Sequence, residues 1–225
     1  IYRTPLNGRN FEYMGEDPFL ASTMVVPYIK GVQKNGVAAC VKHYALNNQE
    51  LWRDKVNVEV SDRALHEIYL PAFKAAVTKA NVWALMGAYN KFRGQYATHH
   101  ELLTKKILKE DWKYDGVVIS DWSSAHSTIA SAMFGLDIEM GTGTDGLGTS
   151  TSNHYDHYYL ATPFLKKLES GEIPLAILDD KVRRILRLRF RTNMSNNRPL
   201  GRANNKEHHD VARKVAAEGI VLLKN

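Results

Sequence analysis

One carboxylate stands where chemistry is commonly done. Asp121 follows the apolar run Gly116-Val117-Val118-Ile119 and Ser120. A buried strand that ends in an Asp sets its carboxyl at the floor of a strand-end pocket, where the reactive groups of parallel barrels sit. Trp122 comes next and offers a flat apolar surface that suits a sugar face. Two other apolar runs end comparably, one in Lys42-His43 and one in Tyr89-Asn90, and a fourth ends near Glu139. Arg9, Lys42 and Arg53 supply three cations for the same mouth. Cations nearby would keep Asp121 ionised, as a nucleophile requires. Each residue also has a plainer reading. Asp121 could cap the following helix, Trp122 could pack in a core, Lys42 could reach solvent, and His43 could be a satisfied core histidine. Lys and His side by side at a buried strand end are better explained as hydrogen-bond donors to a polar ligand.

The elements that must position these residues alternate. The spacing predicts helices over residues 19–34, 62–79, 101–109, 125–134, 155–169 and 180–191, the second capped by Ser61. It predicts strands over 37–42, 82–87, 116–120 and 136–140, with a half-exposed strand through Val56, Val58 and Val60. Short apolar strands alternating with helices imply a parallel sheet. The Asn-rich stretch 192–206 reads as a linker, followed by a helix over 207–217 and an apolar run, Gly219 to Leu223, with strand character.

Several features are set aside. The segment from Gly141 to Gly146 matches the dinucleotide fingerprint, but no hydrophobic helix follows to hold a pyrophosphate. His154, Asp156 and His157, and likewise His208, His209 and Asp210, lack the spacing of a metal site, so no metal or cofactor is expected. Lys181, Arg183, Arg184, Arg187, Arg189 and Arg191 dominate a net charge of +6, but they read as the solvated side of an amphipathic helix rather than a nucleic-acid surface. Cys40, the only cysteine, reads as a core residue and excludes an internal disulfide. No apolar stretch reaches the roughly 20 residues of a membrane helix. The sequon Asn193-Met194-Ser195 carries little weight, because such triplets arise by chance.

In order along the chain, several segments resemble glycoside hydrolase family three. They are Gly8-Arg9-Asn10-Phe11-Glu12-Tyr13-Met14-Gly15-Glu16-Asp17-Pro18, then Lys42-His43-Tyr44-Ala45-Leu46-Asn47-Asn48-Gln49-Glu50 with Arg53, and Val60 to Phe73. Met86-Gly87-Ala88-Tyr89-Asn90, Val118-Ile119-Ser120-Asp121-Trp122 and Gly135-Leu136-Asp137-Ile138-Glu139-Met140 continue the series. Glu218 to Asn225 is similar to the start of that family's second, α/β-sandwich domain.

The resemblance implies an α/β fold: a (β/α)8 TIM-like barrel, incomplete at its N-terminal side, followed by the beginning of an α/β-sandwich domain. It places the C-terminal part of the barrel at residues 1–191, a linker at 192–206 and the second domain's start at 207–225. It implies retaining hydrolysis with Asp121 as nucleophile. Arg9, Lys42, His43 and Arg53 stand where the family binds sugar hydroxyls, Tyr89 beside the nucleophile, and Trp122 on the sugar site. The acid/base Glu is usually drawn from the second domain, and a sugar-binding Asp is expected upstream of Ile1. Both ends are therefore expected to be cut, and the chain alone to be catalytically crippled. The segment after Lys42-His43 resembles the β-glucosidase branch, so the expected substrate is a β-linked oligosaccharide or aryl glucoside, with no nucleic-acid or membrane partner. β-Xylosidase, a non-catalytic sugar-binding barrel, and a Schiff-base barrel using Lys42 remain alternatives. Secretion or a periplasmic home is compatible, and oligomeric state is left open.

Overall fold

The computed structural model describes residues 1–141, 158–192 and 201–225. The dinucleotide-like loop after Gly141, the group His154, Asp156 and His157, and the sequon at Asn193 fall outside them. Two compact units divide the chain, Ile1–Met194 and Ser195–Asn225.

In the first unit, helix α1 (Pro18–Lys34) starts at Asp17, whose side chain accepts from Phe19 N, with Pro18 in the first turn where no donor is lost. Strand β1 (Cys40–Tyr44) runs three residues later than the apolar pattern predicts. Ala84 N donates to Ala39 O and Cys40 pairs with Ala84, so pairing with the next strand sets the limits. Lys42 and His43 therefore lie within the strand. Val37 and Cys40 are exposed, against the core role expected of Cys40. Cys40 stands on a strand that, among the described residues, is paired on one side only, to β3 (Ala84–Gly87).

Strand β2 (Asn57–Val58) pairs in parallel with β4 (Lys91–Phe92), which pairs antiparallel with β5 (Gln95–Tyr96). The helix predicted over 62–79 is interrupted. Ser61 caps α2 (Asp62–Ala64) at Ala64 N, 3.2 Å away. A π-helical turn Leu65–Tyr69 then leads to α3 (Pro71–Thr78). Pro71 has no N–H and would clash with a regular preceding turn, and the wider turn relieves this. Residues Glu101–Asp111 are also π-helical. His100 caps them, its Nδ1 accepting from Leu102 N and Leu103 N.

Strand β6 (Val117–Ile119) completes a parallel sheet in the order β1-β3-β6. Residues 136–140 follow its other edge through one bridge, Ile119 to Ile138, and through Ser120 N donating to Ile138 O at 2.9 Å. Helices α4 (Thr128–Met133), α5 (Thr162–Glu169) and α6 (Leu175–Arg191) complete the unit. The core lies between the sheet and the helices around Tyr44, Leu65, Leu85, Leu103 and Val118, all fully buried. At the end of β3 a Cβ on Gly87 would come within 2.7 Å of Thr98 Cα, so only glycine lets the turn Ala97–His99 pack there.

Helix α6 departs most from its sequence reading. Lys181 is buried, and its ammonium donates to Leu136 O and Ser131 O; burial pushes its pKa down to about 8. Arg184 donates to Tyr114 O and Gly116 O, Arg187 to Asp115 O, and Arg191 to both Asp115 carboxylate oxygens. Of the basic row only Arg183 and Arg189 are solvated; Arg184 and Arg187 satisfy the carbonyls ahead of β6, which a periodicity argument cannot see.

In the second unit, α7 (Lys206–Gly219) is capped by Asn205 and exposed throughout. His208, His209 and Asp210 form its solvated start, as expected. Residues 220–223 form no strand and are exposed. A strand needs a partner to satisfy its backbone, and none is available to it among the described residues.

Asp137 ties β6 to the segment beside it. Its side chain is fully buried, with Oδ1 accepting from Lys109 Nζ at 2.7 Å and Oδ2 from Val118 N at 2.8 Å. Asp137→Ala leaves a buried ammonium and a strand N–H without their partner. It should destabilise the fold by about 3–5 kcal/mol, seen as a lower midpoint in urea unfolding. A change below about 1 kcal/mol would show that the pair contributes no net stability.

Candidate active site

Asp121 emerges directly from β6 and is 6% exposed. It is not a helix cap, because α4 begins at Thr128 with Ser127 in that role. Its Oδ1 accepts from Trp122 N at 2.7 Å. Ser124 N and Ser124 Oγ bind the Asp121 carbonyl at 3.2 and 3.1 Å, closing a tight turn under the carboxylate. His43 Nε2 lies 3.2 Å from Oδ2 but off the line of a good hydrogen bond, and it is buried with no other partner.

Burial pushes the Asp121 pKa up, but His43, the Trp122 N–H and the Tyr89 hydroxyl outweigh it and hold the carboxyl below its ordinary value. The cause differs from the expectation, which credited Lys and Arg. A neighbouring imidazole, a backbone amide and a phenol keep the charge on Asp121. Tyr89 feels the reverse. Burial, the Asp121 charge and the hydrogen bond to Asp121 push its hydroxyl up to about 12, so it stays a donor.

The cations gather one layer out. Arg53 stacks on the Tyr89 ring at 4.3 Å, and its Nη1 pairs with Glu50 at 2.9 Å. Arg9 pairs with Glu12, and Lys42 reaches the other oxygen of Glu12 at 3.0 Å. The charges of both Arg53 and Arg9 reach the Tyr89 hydroxyl. His43 and Tyr89 thus meet Asp121 directly, while Arg53, Arg9 and Lys42 reach it through intermediaries. A register irregularity between Val41 and Tyr44 frees Lys42 and His43 from the strict alternation of a strand.

Trp122 is 55% exposed, which excludes the core reading and leaves its ring open beside the carboxylate. Lys42 is ion-paired and well exposed rather than desolvated, which disfavours the Schiff-base reading. Sequence reasoning missed Glu12 and Glu50 as members of the site. The available signal was their spacing, three residues from Arg9 and Arg53 respectively. Among the described residues no group of three metal-ligating side chains is assembled.

The segment before α1 is tied to this site by Tyr13, whose hydroxyl donates to Asn47 O at 2.5 Å. Asn90 Nδ2 donates to Ala45 O at 3.3 Å, which joins the loops after β1 and β3. Together the ends of β1, β3 and β6 present a buried carboxylate beside an imidazole, a phenol and a backbone N–H, with cations further out and the exposed Trp122 next in sequence. Such a set can form a covalent bond to an electrophilic carbon while holding a polyhydroxylated ligand.

Comparison with known proteins identifies the family. The family described as glycosyl hydrolase family 3 N terminal domain matches residues 1–188. A β-glucosidase of Bacteroides ovatus is 62% identical over 225 residues, covering 100% of this chain and 30% of that protein. An exo-α-(1→6)-L-arabinopyranosidase of Bifidobacterium longum is 36% identical, covering 100% of this chain and 28% of that protein. The structure of β-glucosidase 3B from Thermotoga neapolitana in complex with glucose aligns with a TM-score of 0.89 at 39% identity, over 100% of this chain and 31% of that one. The parallel α/β arrangement is therefore the TIM-barrel-like fold of that domain. The chain spans less than a third of the length of these relatives.

The electrostatics of Asp121 can be measured without any substrate. In a carboxyl-selective 13C NMR titration its pKa should lie below the ordinary aspartate range. Tyr89→Phe, which keeps the ring under Arg53 but removes the hydroxyl, should raise it, as should His43→Ala. A titration unchanged in both variants would remove these two side chains as the cause.

Proposed function

This chain belongs to glycosyl hydrolase family 3, and on that premise we propose that it carries the nucleophile half of a retaining β-glucosidase active site. The observation that carries the reading is Asp121, buried yet held ionised at the end of β6 by His43, Trp122 N–H and Tyr89. The Asp121 carboxylate attacks the anomeric carbon. The bond from that carbon to the glycosidic oxygen breaks, and the leaving oxygen takes a proton from a second carboxyl about 5–5.5 Å away. Water then attacks the glycosyl ester, the second carboxyl takes the water's proton, and Asp121 departs as carboxylate.

Lys42, His43, Arg9 and Arg53 bind hydroxyls of the glucosyl ring, and Trp122 lies against its face. Tyr89 donates to Asp121, which keeps the nucleophile charged until attack. Hydroxyl contacts that strengthen as the oxocarbenium-like state forms lower the barrier rather than merely tighten binding.

The second carboxyl is assigned to protein outside this chain. The relatives are more than three times as long, and Glu12, Glu50 and Glu139 are already committed. Glu12 and Glu50 pair with cations, and Glu139 accepts from Leu160 N at 2.7 Å. By the same reading residues 1–191 are the C-terminal part of a barrel incomplete at its N-terminal side, 192–206 a linker, and 207–225 the start of an α/β-sandwich domain. The family match ends at residue 188 and the compact units part at Met194, which supports that division. Among the described residues β1 has a partner on one side only, which supports a barrel closed by further strands.

In the full-length enzyme, Asp121→Asn should lose nearly all turnover and keep its unfolding midpoint, because an amide cannot form the glycosyl ester. A 2-deoxy-2-fluoro β-glucoside with a good leaving group should label Asp121, as read by peptide mass mapping. A label on another carboxylate would overturn the assignment. Turnover of the aryl β-glucoside should exceed that of the aryl β-xyloside; the reverse order would favour the β-xylosidase reading.

Lys42→Ala and His43→Ala should each cost about 2–4 kcal/mol of transition-state stabilisation, lowering kcat as well as raising KM. Near wild-type kcat/KM in both would make them structural residues.

A further inference from the structure

Carboxylates and cations alternate around the mouth of the site. Lys42 Nζ meets Glu12 Oε2 at 3.0 Å, and Glu12 Oε1 meets Arg9 Nε. Glu50 lies within electrostatic range of Arg9 and pairs with Arg53 at 2.9 Å. Arg53 covers Tyr89, which donates to Asp121. Three positive charges are thus matched by three negative ones. Without Glu12 and Glu50 these cations would lose their carboxylate partners, and each could lower its energy by swinging out to water.

Glu12 has little structural work to explain its presence. It closes the short turn Asn10–Glu12, which contains no buried residue, and its neighbour Phe11 is exposed. Yet its side chain is only 21% exposed and Arg9's 19%, unlike the solvent-facing pair Arg63 and Glu67 at 83% and 60%. The two cations hold the Glu12 carboxyl below its ordinary value even though burial pulls it up. One carboxylate therefore ties two cations from distant parts of the chain into one arrangement and uses one donor of each. An ammonium has three N–H groups and a guanidinium five, so both keep donors for sugar hydroxyls.

We propose that Glu12 is a positioning residue of the sugar subsite. It acts on substrate only through Arg9 and Lys42, by fixing the two cations against each other. The inference rests on the proposed β-glucosidase reading. Fluoro-sugar labelling of wild-type Asp121 tests that reading by itself, so the two can fail separately.

The test uses the full-length enzyme with 4-nitrophenyl β-D-glucopyranoside and its 2-, 3-, 4- and 6-deoxy analogues. Glu12→Gln should lower kcat/KM on the parent glucoside about 10-fold, the lower end of what loss of an outer partner costs a site. The loss should shrink below about threefold on the same analogue for which Lys42→Ala or Arg9→Ala loses its effect, because the hydroxyl they serve is gone. A loss uniform across the deoxy series, or no loss on the parent, overturns the proposal. If Glu12→Gln does not fold, Glu12→Asp carries the comparison, since it keeps the charge and shortens the reach by one methylene. Failure of both to fold would make Glu12 a folding residue and overturns the proposal equally.

Discussion

A carboxylate taken out of water at the end of a buried strand is under constant pressure to take up a proton, because desolvation disfavours its charged form. Asp121 resists that pressure with a backbone N–H from Trp122, the imidazole of His43 and the hydroxyl of Tyr89. The site thus keeps one negative charge without a Lys or Arg paired directly with it. A guanidinium or ammonium paired directly with Asp121 would hold it ionised more strongly, but would also occupy the oxygen that the proposed mechanism needs free. Moving Arg9, Lys42 and Arg53 outward, onto Glu12, Glu50 and the Tyr89 face, separates charge on the carboxylate from recognition of a ligand.

That arrangement depends on three strand ends keeping their relative height. β1 supplies His43, β3 leads to Tyr89, and β6 delivers Asp121, in a sheet whose order is β1-β3-β6. Below the site, Asp137 binds Val118 N and Lys109, while Lys181 ties Leu136 O to Ser131 O. Arg184 and Arg187 satisfy the carbonyls just ahead of β6. Charged groups buried this way are costly to break, which suits a strand whose last residue must not shift.

The family match covers residues 1–188, yet the relatives at 62% and 36% identity are a β-glucosidase and an arabinopyranosidase. On the proposed reading, the belt of cations held by Glu12 and Glu50 is where one sugar would be told from another.

Much of this was legible from local pattern. An all-apolar run closed by Asp121-Trp122 announces a buried strand with a carboxylate at its end, and Ser61 announces its helix, because burial and capping are decided within a few residues. Pattern could also gather Arg9, Lys42, His43, Arg53 and Tyr89 as candidates, since each lies at a strand end or in a motif. It could not say what each touches. Only the tertiary structure showed that His43 and Tyr89, not the cations, sustain Asp121, that Glu12 joins Arg9 to Lys42, and that Lys181 is buried among carbonyls rather than solvated. It also moved β1 three residues along and broke the helix at Pro71. The physical reason is the same in each case. Helical and strand periodicities report which face of an element meets apolar surroundings, whereas ion pairing, register and pKa depend on groups brought together from distant parts of the chain.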